Sequence, residues 1–266
     1  MEMTSQEPSN PLGHRRRSRR GNRGIIITGV ILVLIVILGR TLYGNFLVPT
    51  GSMSNTILPG DAIIVSKLDQ EARKGDIIIF KFPGHRDQLQ ADEEQYYLKR
   101  CIALPGEVLE LRERKVFIDG VEQPLPPQAI PPSGEIIPND PLHTFPEGAG
   151  YTRGKWGPMR IPKKGDVIPL NDSTFYMWHV FIGREGHQVQ KNGATVQVDG
   201  KPATQYVVER DYCFGMGDNR DNALDSRYWG FIPVDDIVGK PWLIYWSQDS
   251  DGEGGVRWDR IFKSVE

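Results

Sequence analysis

The pattern of apolar and polar positions changes character along this chain. Residues 24–39 read GIIITGVILVLIVILG, without a charge. A run of this kind reads as a membrane span. Sixteen helical residues reach only ~24 Å, short of a ~30 Å hydrocarbon core. Apolar character resumes after Arg40 through Leu42, Tyr43, Phe46, Leu47 and Val48, so the predicted anchor covers 24–47, with the Arg40 stem reaching back to the interface. A cleaved leader would need a small-residue A-x-A site after the apolar run. Residues 41–49 (TLYGNFLVP) offer none, and the run reads as an uncleaved anchor.

Beyond the anchor the apolar runs become short and are bounded by Gly, Pro, Asp and Asn, the pattern of antiparallel strands. One set covers residues 62–65, 76–80, 96–104, 108–111 and 116–118; a second covers 175–182, 196–198, 206–208, 212–214 and 242–246. None of these runs reads as an amphipathic helix, and WLIYW at 242–246 is too short to span a membrane. Residues 121–170 hold eleven of the twenty prolines, which predicts a long irregular excursion with few central strands. Two similar stretches flank it, VFIDG at 116–120 and VQVDG at 196–200, each reading as a strand entering an Asp-Gly hairpin turn. The predicted fold is therefore mainly β: an antiparallel catalytic core from residues 48–111 and 205–266, interrupted by a β- and Pro-rich insertion over 112–204. The anchor and a short tail, 1–23, precede it.

Composition narrows the partners. The net charge of −2 provides no global basic field for nucleic acid. The first 23 residues nevertheless carry six arginines (Arg15, Arg16, Arg17, Arg19, Arg20, Arg23) against Glu2 and Glu7. Lying just before the apolar run, they predict a cytoplasmic N-terminus and an extracytoplasmic main domain. Two cysteines, Cys101 and Cys213, exclude a disulfide-stapled miniprotein and a cysteine-built zinc finger and leave one conceivable disulfide. The five histidines (His14, His85, His143, His179, His187) show no metal-ligand spacing.

Four segments carry candidate chemistry: VPTGSMSNTILPGD at 48–61, GDIIIFKFP at 75–83, YLKRCIALPGE at 97–107 and GDNRDNALDSR at 217–227. Gly51 allows a tight turn that exposes Ser52, but a serine hydroxyl needs a base. None of these segments contains a histidine. Lys99 lies among Tyr, Leu, Ile and Ala. Buried, it would lose affinity for its proton and become a usable base; on a half-buried strand it could equally face solvent. Asp218, Arg220, Asp221, Asp225 and Arg227 make either a hydrogen-bonded brace for a neighbouring site or a solvated loop with weak ion pairs.

Together and in this order, the four segments resemble the type I signal peptidases, membrane-anchored Ser–Lys endopeptidases that remove signal peptides from exported proteins. GDNRDNALDSR is the most specific of them. The resemblance implies Ser52 as nucleophile and Lys99 as general base, with the oxyanion held by the Ser52 N–H and the Thr50 hydroxyl, where the family usually has serine. It implies that Arg100, Gly217, Asp218, Asp225 and Arg227 brace the site, Arg100 against Asp218 and Gly217 close to the lysine. Met53, Ile57 and Tyr97 match the pocket for the residue before the cut. Phe46, Val48 and Leu98 match the pocket two residues further back. It further implies signal-peptide-bearing preproteins as substrates, bound as an added strand after small residues, with no cofactor or metal. Membrane lipid and the secretion translocon would lie nearby. Three positions depart from the pattern: Asn55 replaces proline, Glu107 replaces aspartate, and Ala223 replaces a serine that helps orient the lysine. Ser226 and Ser54 are candidate replacements for that hydroxyl. Trp242, Trp246 and Trp258 are candidates for a bilayer-facing surface or for core packing. A different reading is a membrane-tethered β-domain that binds peptides without catalysis; the joint presence of Ser52 and Lys99 speaks against it.

Overall fold

The computed structural model describes residues 19–84, 95–133, 144–249 and 254–265, in two units divided after Thr41. The first unit contains helix α1 (Arg19–Leu42), whose segment Ile25–Leu42 is long and apolar enough to cross a membrane. At 24 residues it measures ~36 Å, so the length missing from 24–39 comes from both flanks. Most of the tail 1–23, including His14, lies outside the described residues, as do His85 and His143.

The apolar positions after Leu42 do not extend the helix. They form strand β1 (Tyr43–Leu47), in which exposed and half-buried residues alternate. That two-residue period fits a pleated edge and not a helix face. The predicted anchor over 24–47 is corrected accordingly. β1 pairs antiparallel with β2 (Asp61–Ser66). β3 (Ile77–Lys81) and β4 (Tyr96–Ala103) follow as an antiparallel pair, with Ile78 opposite Lys99.

The chain then leaves this sheet. β5 (Val108–Arg112), β6 (Lys115–Ile118), β7 (Val121–Gln123) and β8 (Trp156–Arg160) make a four-stranded sheet in the order β7-β6-β5-β8. β9 (Val167–Pro169) precedes helix α2 (Asp172–Arg184), followed by β10 (Val189–Asn192), β11 (Thr195–Val198), β12 (Lys201–Pro202) and β13 (Gln205–Val207). β10, β11 and β12 form a small meander, and β13 pairs back onto β9. The sheets of this region thus begin and end outside 112–204, because hairpin partners share a sheet: β5 pairs with β6, and β13 with β9. The two Asp-Gly stretches are hairpin turns, with both residues at positive φ (Asp119 50°, Gly120 82°; Asp199 50°, Gly200 74°).

Residues 175–182 lie in α2 and are not a strand. The start signal is Asn171: its side chain accepts from the N–H groups of Ser173 and Thr174, while the Asn171 N–H donates to Thr174 Oγ1. This reciprocal cap offsets the aromatic and β-branched composition. Phe175, Trp178, Phe181 and Ile182 follow helical spacing and pack into an apolar cluster with Leu109, Trp156, Val196 and Phe214.

The chain returns through β14 (Tyr212–Met216), the four-residue helix α3 (Ser226–Trp229), β15 (Ile232–Pro233), β16 (Ile237–Ser247) and β17 (Lys263–Ser264). The main sheet runs β1-β2-β16-β3-β4-β14-β15, with β17 also on β16. Every residue of β14 is buried, as befits a strand covered on both faces. Cys101 and Cys213 are buried free thiols in one apolar cluster. Trp242, Trp246 and Trp258 are exposed, as are Tyr245 and Phe262.

Candidate active site

Ser52 sits in a single 3-10 turn, Gly51–Met53, entered from an extended Thr50. The turn belongs to a loop, residues 48–61, whose neck is closed by Val48 N–H to Asp61 O at 2.9 Å and Gly60 N–H to Val48 O at 2.8 Å. Behind Ser52, Met53 and Ile57 pack into an apolar cluster with Ile63, Val65, Ile77, Ile79 and Ile244. Asn55 has φ 76°, a left-handed conformation that asparagine tolerates and that a proline ring, fixed near −65°, does not permit. Asparagine at this position thus goes with a loop backbone that proline could not adopt.

Lys99 projects from the middle of β4 to meet Ser52. Its Nζ lies 2.9 Å from Ser52 Oγ and donates to the Leu98 carbonyl at 2.9 Å. The lysine is 3% exposed. Burial, opposed by Asp225 and Asp218 and assisted by Arg227, brings its pKa down to about 8. About one molecule in ten then holds a neutral amine at pH 7, with a lone pair for the serine proton. Neither Ser226 nor Ser54 replaces the hydroxyl absent at Ala223. Ser226 Oγ accepts from Gly215 N–H, and the group that directs the amine is the Leu98 carbonyl.

The 217–227 segment is a frame built on the buried Asp218, Asp225 and Arg227, with Asn222 exposed. Arg100 makes a two-point contact with Asp218, Nε to Oδ1 at 2.8 Å and Nη2 to Oδ2 at 2.7 Å, and Thr56 Oγ1 donates to Asp218 Oδ2 at 2.6 Å. Arg227 grips Asp225 in the same way, both bonds at 2.8 Å, and Asp225 Oδ2 accepts from Gly217 N–H. A Cβ at Gly217 would stand 2.3 Å from Ala223 Cβ and 2.5 Å from Ser52 O. This glycine is required by the close approach of the Ser52 backbone. Gly215 also lies against the lysine: a Cβ there would stand 3.0 Å from Lys99 Cβ.

A cleft of about 780 Å³ opens over Ser52 and Lys99. Phe46, Val48, Met53, Tyr97 and Leu98 line it, as does Thr50. Ile57 does not; it is fully buried behind Met53 and shapes the cleft at one remove. β14 pairs with β4 only from Arg100 onward, so among the described residues the Tyr96–Leu98 edge has no strand partner on that side.

A family model described as signal peptidase, peptidase S26, matches residues 22–246. The chain belongs to this signal peptidase family. Among its relatives, signal peptidase I of Helicobacter pylori (strain J99) is 25% identical, with 89% of this chain and 90% of the relative covered. Signal peptidase I of Aquifex aeolicus is 27% identical, covering 82% and 81%. A crystal structure of a signal peptidase I from Enterococcus faecalis is 22% identical over 63% of this chain and 94% of that one, with a TM-score of 0.27 that is too low to bear on the fold. As a member of the signal peptidase family the chain is a serine peptidase.

Within this peptidase the sequence reading passed over Asn219. Its N–H donates to Ser52 O at 3.0 Å and its side-chain amide to Gly51 O at 3.1 Å, two bonds that hold the Gly51–Met53 turn. Its place beside Asp218 was the only signal available, and an asparagine in a turn-rich segment has many other uses.

Proposed function

We propose that this peptidase is membrane-anchored and removes N-terminal signal peptides from exported preproteins, with Ser52 as nucleophile and Lys99 as general base. The observation that carries the reading is the 2.9 Å contact between a buried Lys99 Nζ and Ser52 Oγ. Neutral Lys99 takes the hydroxyl proton as Ser52 Oγ attacks the scissile carbonyl. The resulting oxyanion faces the Ser52 N–H and the Thr50 hydroxyl. Protonated Lys99 then donates to the departing amine, the N-terminus of the mature protein. An ester to the signal peptide remains; water, deprotonated by the same lysine, hydrolyses it and restores Ser52.

Specificity follows from the cleft. A substrate strand laid along the open Tyr96–Leu98 edge would present alternate side chains to it. Met53 and Tyr97, backed by Ile57, face the residue before the cut; Phe46, Val48 and Leu98 face the residue two positions earlier. Small apolar subsites between these side chains would favour alanine-sized residues. The apolar α1 and the arginines before it support a single span with a cytoplasmic N-terminus. The exposed Trp242, Trp246 and Trp258 support contact of the catalytic unit with lipid. The test is cleavage of a model preprotein in detergent. Ser52→Ala and Lys99→Ala should each be inactive yet folded, and Lys99→Arg inactive as well because arginine does not lose its proton. Cleavage by Ser52→Ala at the wild-type rate would overturn the assignment.

A further inference from the structure

The loop that carries Ser52 is held at its neck by the C-terminal segment. Arg260 is buried, and its Nη2 donates to Asp61 Oδ2 at 2.6 Å and to Thr56 O at 3.0 Å; its Nε donates to Asp61 Oδ1 at 3.2 Å. Asp61 is fully buried and also accepts from Ser247 Oγ at 2.6 Å and from Leu58 N–H at 2.8 Å. Its own carbonyl takes the Val48 N–H that closes the loop. Arg257 adds Nη2 contacts to Pro59 O and Gln248 O. Gly60, at φ 83°, is approached so closely by Gln248 that a Cβ would lie 1.9 Å from its carbonyl oxygen. Arg260 lies beyond residue 246, where the family match ends.

These contacts reach the reacting pair by short steps. Thr56, whose carbonyl Arg260 holds, donates its N–H to Met53 O and its hydroxyl to Asp218. Asp218 is gripped by Arg100, next in sequence to Lys99. The far side of Ser52 is held through Asn219. The loop is thus fixed at one end by the 217–227 frame and at the other by Arg260.

We propose that Arg260 is a positioning residue: through Asp61 and the Thr56 carbonyl it sets the loop that aims Ser52 at Lys99. The inference rests on Ser52 and Lys99 being the reacting pair. Displacing an attacking atom by an ångström costs up to about 100-fold in rate. Arg260→Met alone leaves the Asp61 carboxylate buried without its cation, and such a protein can fail to fold. The informative variant is Arg260→Met with Asp61→Asn, which removes both charges; the amide oxygen can still accept from Leu58 N–H, and the amide NH2 can donate to Ser247 Oγ. It is assayed as the full chain in detergent, with rates corrected for the folded fraction and compared with Arg260→Lys.

The expected result is a fall in kcat of about 10- to 100-fold with KM within about twofold. The acidic limb of the rate profile should also move to higher pH, because a loosened Ser52 admits water to Lys99 and lets its proton affinity recover. Arg260→Lys, which keeps the charge on Asp61, should recover part of the rate. A folded double variant with wild-type kcat and an unmoved limb would overturn the proposal and leave the ion pair a matter of stability alone. Failure of the underlying reading is separate: it would show as an active Ser52→Ala protein whatever Arg260 does.

Discussion

Replacing Lys99 by methionine should make the protein more stable at neutral pH while abolishing its activity. Bringing an amine from 10.5 down to about 8 means that the fold disfavours the charged form by about 3 kcal/mol, at 1.36 kcal/mol for each tenfold change in proton affinity. Below pH 8 the lysine is protonated in both folded and unfolded chains, so the native state carries the whole penalty. Between pH 8 and 10.5 the unfolded chain binds the extra proton, and wild-type stability rises with pH. Methionine has similar length, no charge and no proton. Its cost is the Leu98 carbonyl left unsatisfied, about 1–3 kcal/mol. The balance at pH 7 is a gain of about 1 kcal/mol, and the pH dependence is the sharper signal. The stability difference between variant and wild type should swing toward wild type by about 2–3 kcal/mol from pH 7 to pH 10. Urea unfolding of both proteins in detergent, followed by tryptophan fluorescence, measures it, and the titration of other groups cancels in the difference. A difference that stays constant across this range would show that Lys99 keeps its ordinary proton affinity, and the argument for it as a neutral base would fail.

Gly217→Ala should lose activity by about 100-fold or more and lower stability by about 1–3 kcal/mol, because the methyl meets Ala223 and the Ser52 carbonyl; cleavage and thermal unfolding check both. Ala223→Ser should be tolerated, with cleavage equal or up to about tenfold faster, the worth of about one hydrogen bond, and with the acidic limb unmoved or shifted to lower pH. A severe loss in a folded Ala223→Ser protein would show that position 223 has no room for a hydroxyl. His187 lies between Asp199 (2.7 Å) and Glu209 (3.0 Å), and its bond to Asp199, joined by Glu209 and opposed by burial, raises its pKa above 6.5. Its contribution is therefore complete below pH 6.5 and lost as pH rises through the folded value. Since all three groups are partly solvated, it should stay below about 1 kcal/mol, and His187→Gln should flatten that part of the stability–pH curve.

How much was legible in the sequence depended on how local the determining signal was. Ser52 after Gly51, Lys99 in an apolar run and the charged 217–227 segment are each visible within a dozen residues. Most strands were visible too, since turn residues bound them. Helix α2 was hidden because its aromatic and β-branched content mimics a strand; the deciding signal was Asn171 with Thr174, outside the apolar run. The end of α1 was misplaced because β1 is as apolar as the helix before it and differs only in period. Ile57 belongs to the right neighbourhood but lies behind the cleft wall, which depends on how the loop is packed. The grip of Asn219 on Gly51 joins residues 168 apart, and no local pattern announces it.

The Leu98 carbonyl that directs the Lys99 amine has an evolutionary consequence. A main-chain oxygen is present whatever amino acid occupies position 98, so point mutation cannot delete this anchor; only a shift of β4 can. A lineage whose lysine is steered by its own backbone is released from keeping a hydroxyl at position 223. The cleft wall at position 223 can then vary without removing the anchor of the amine.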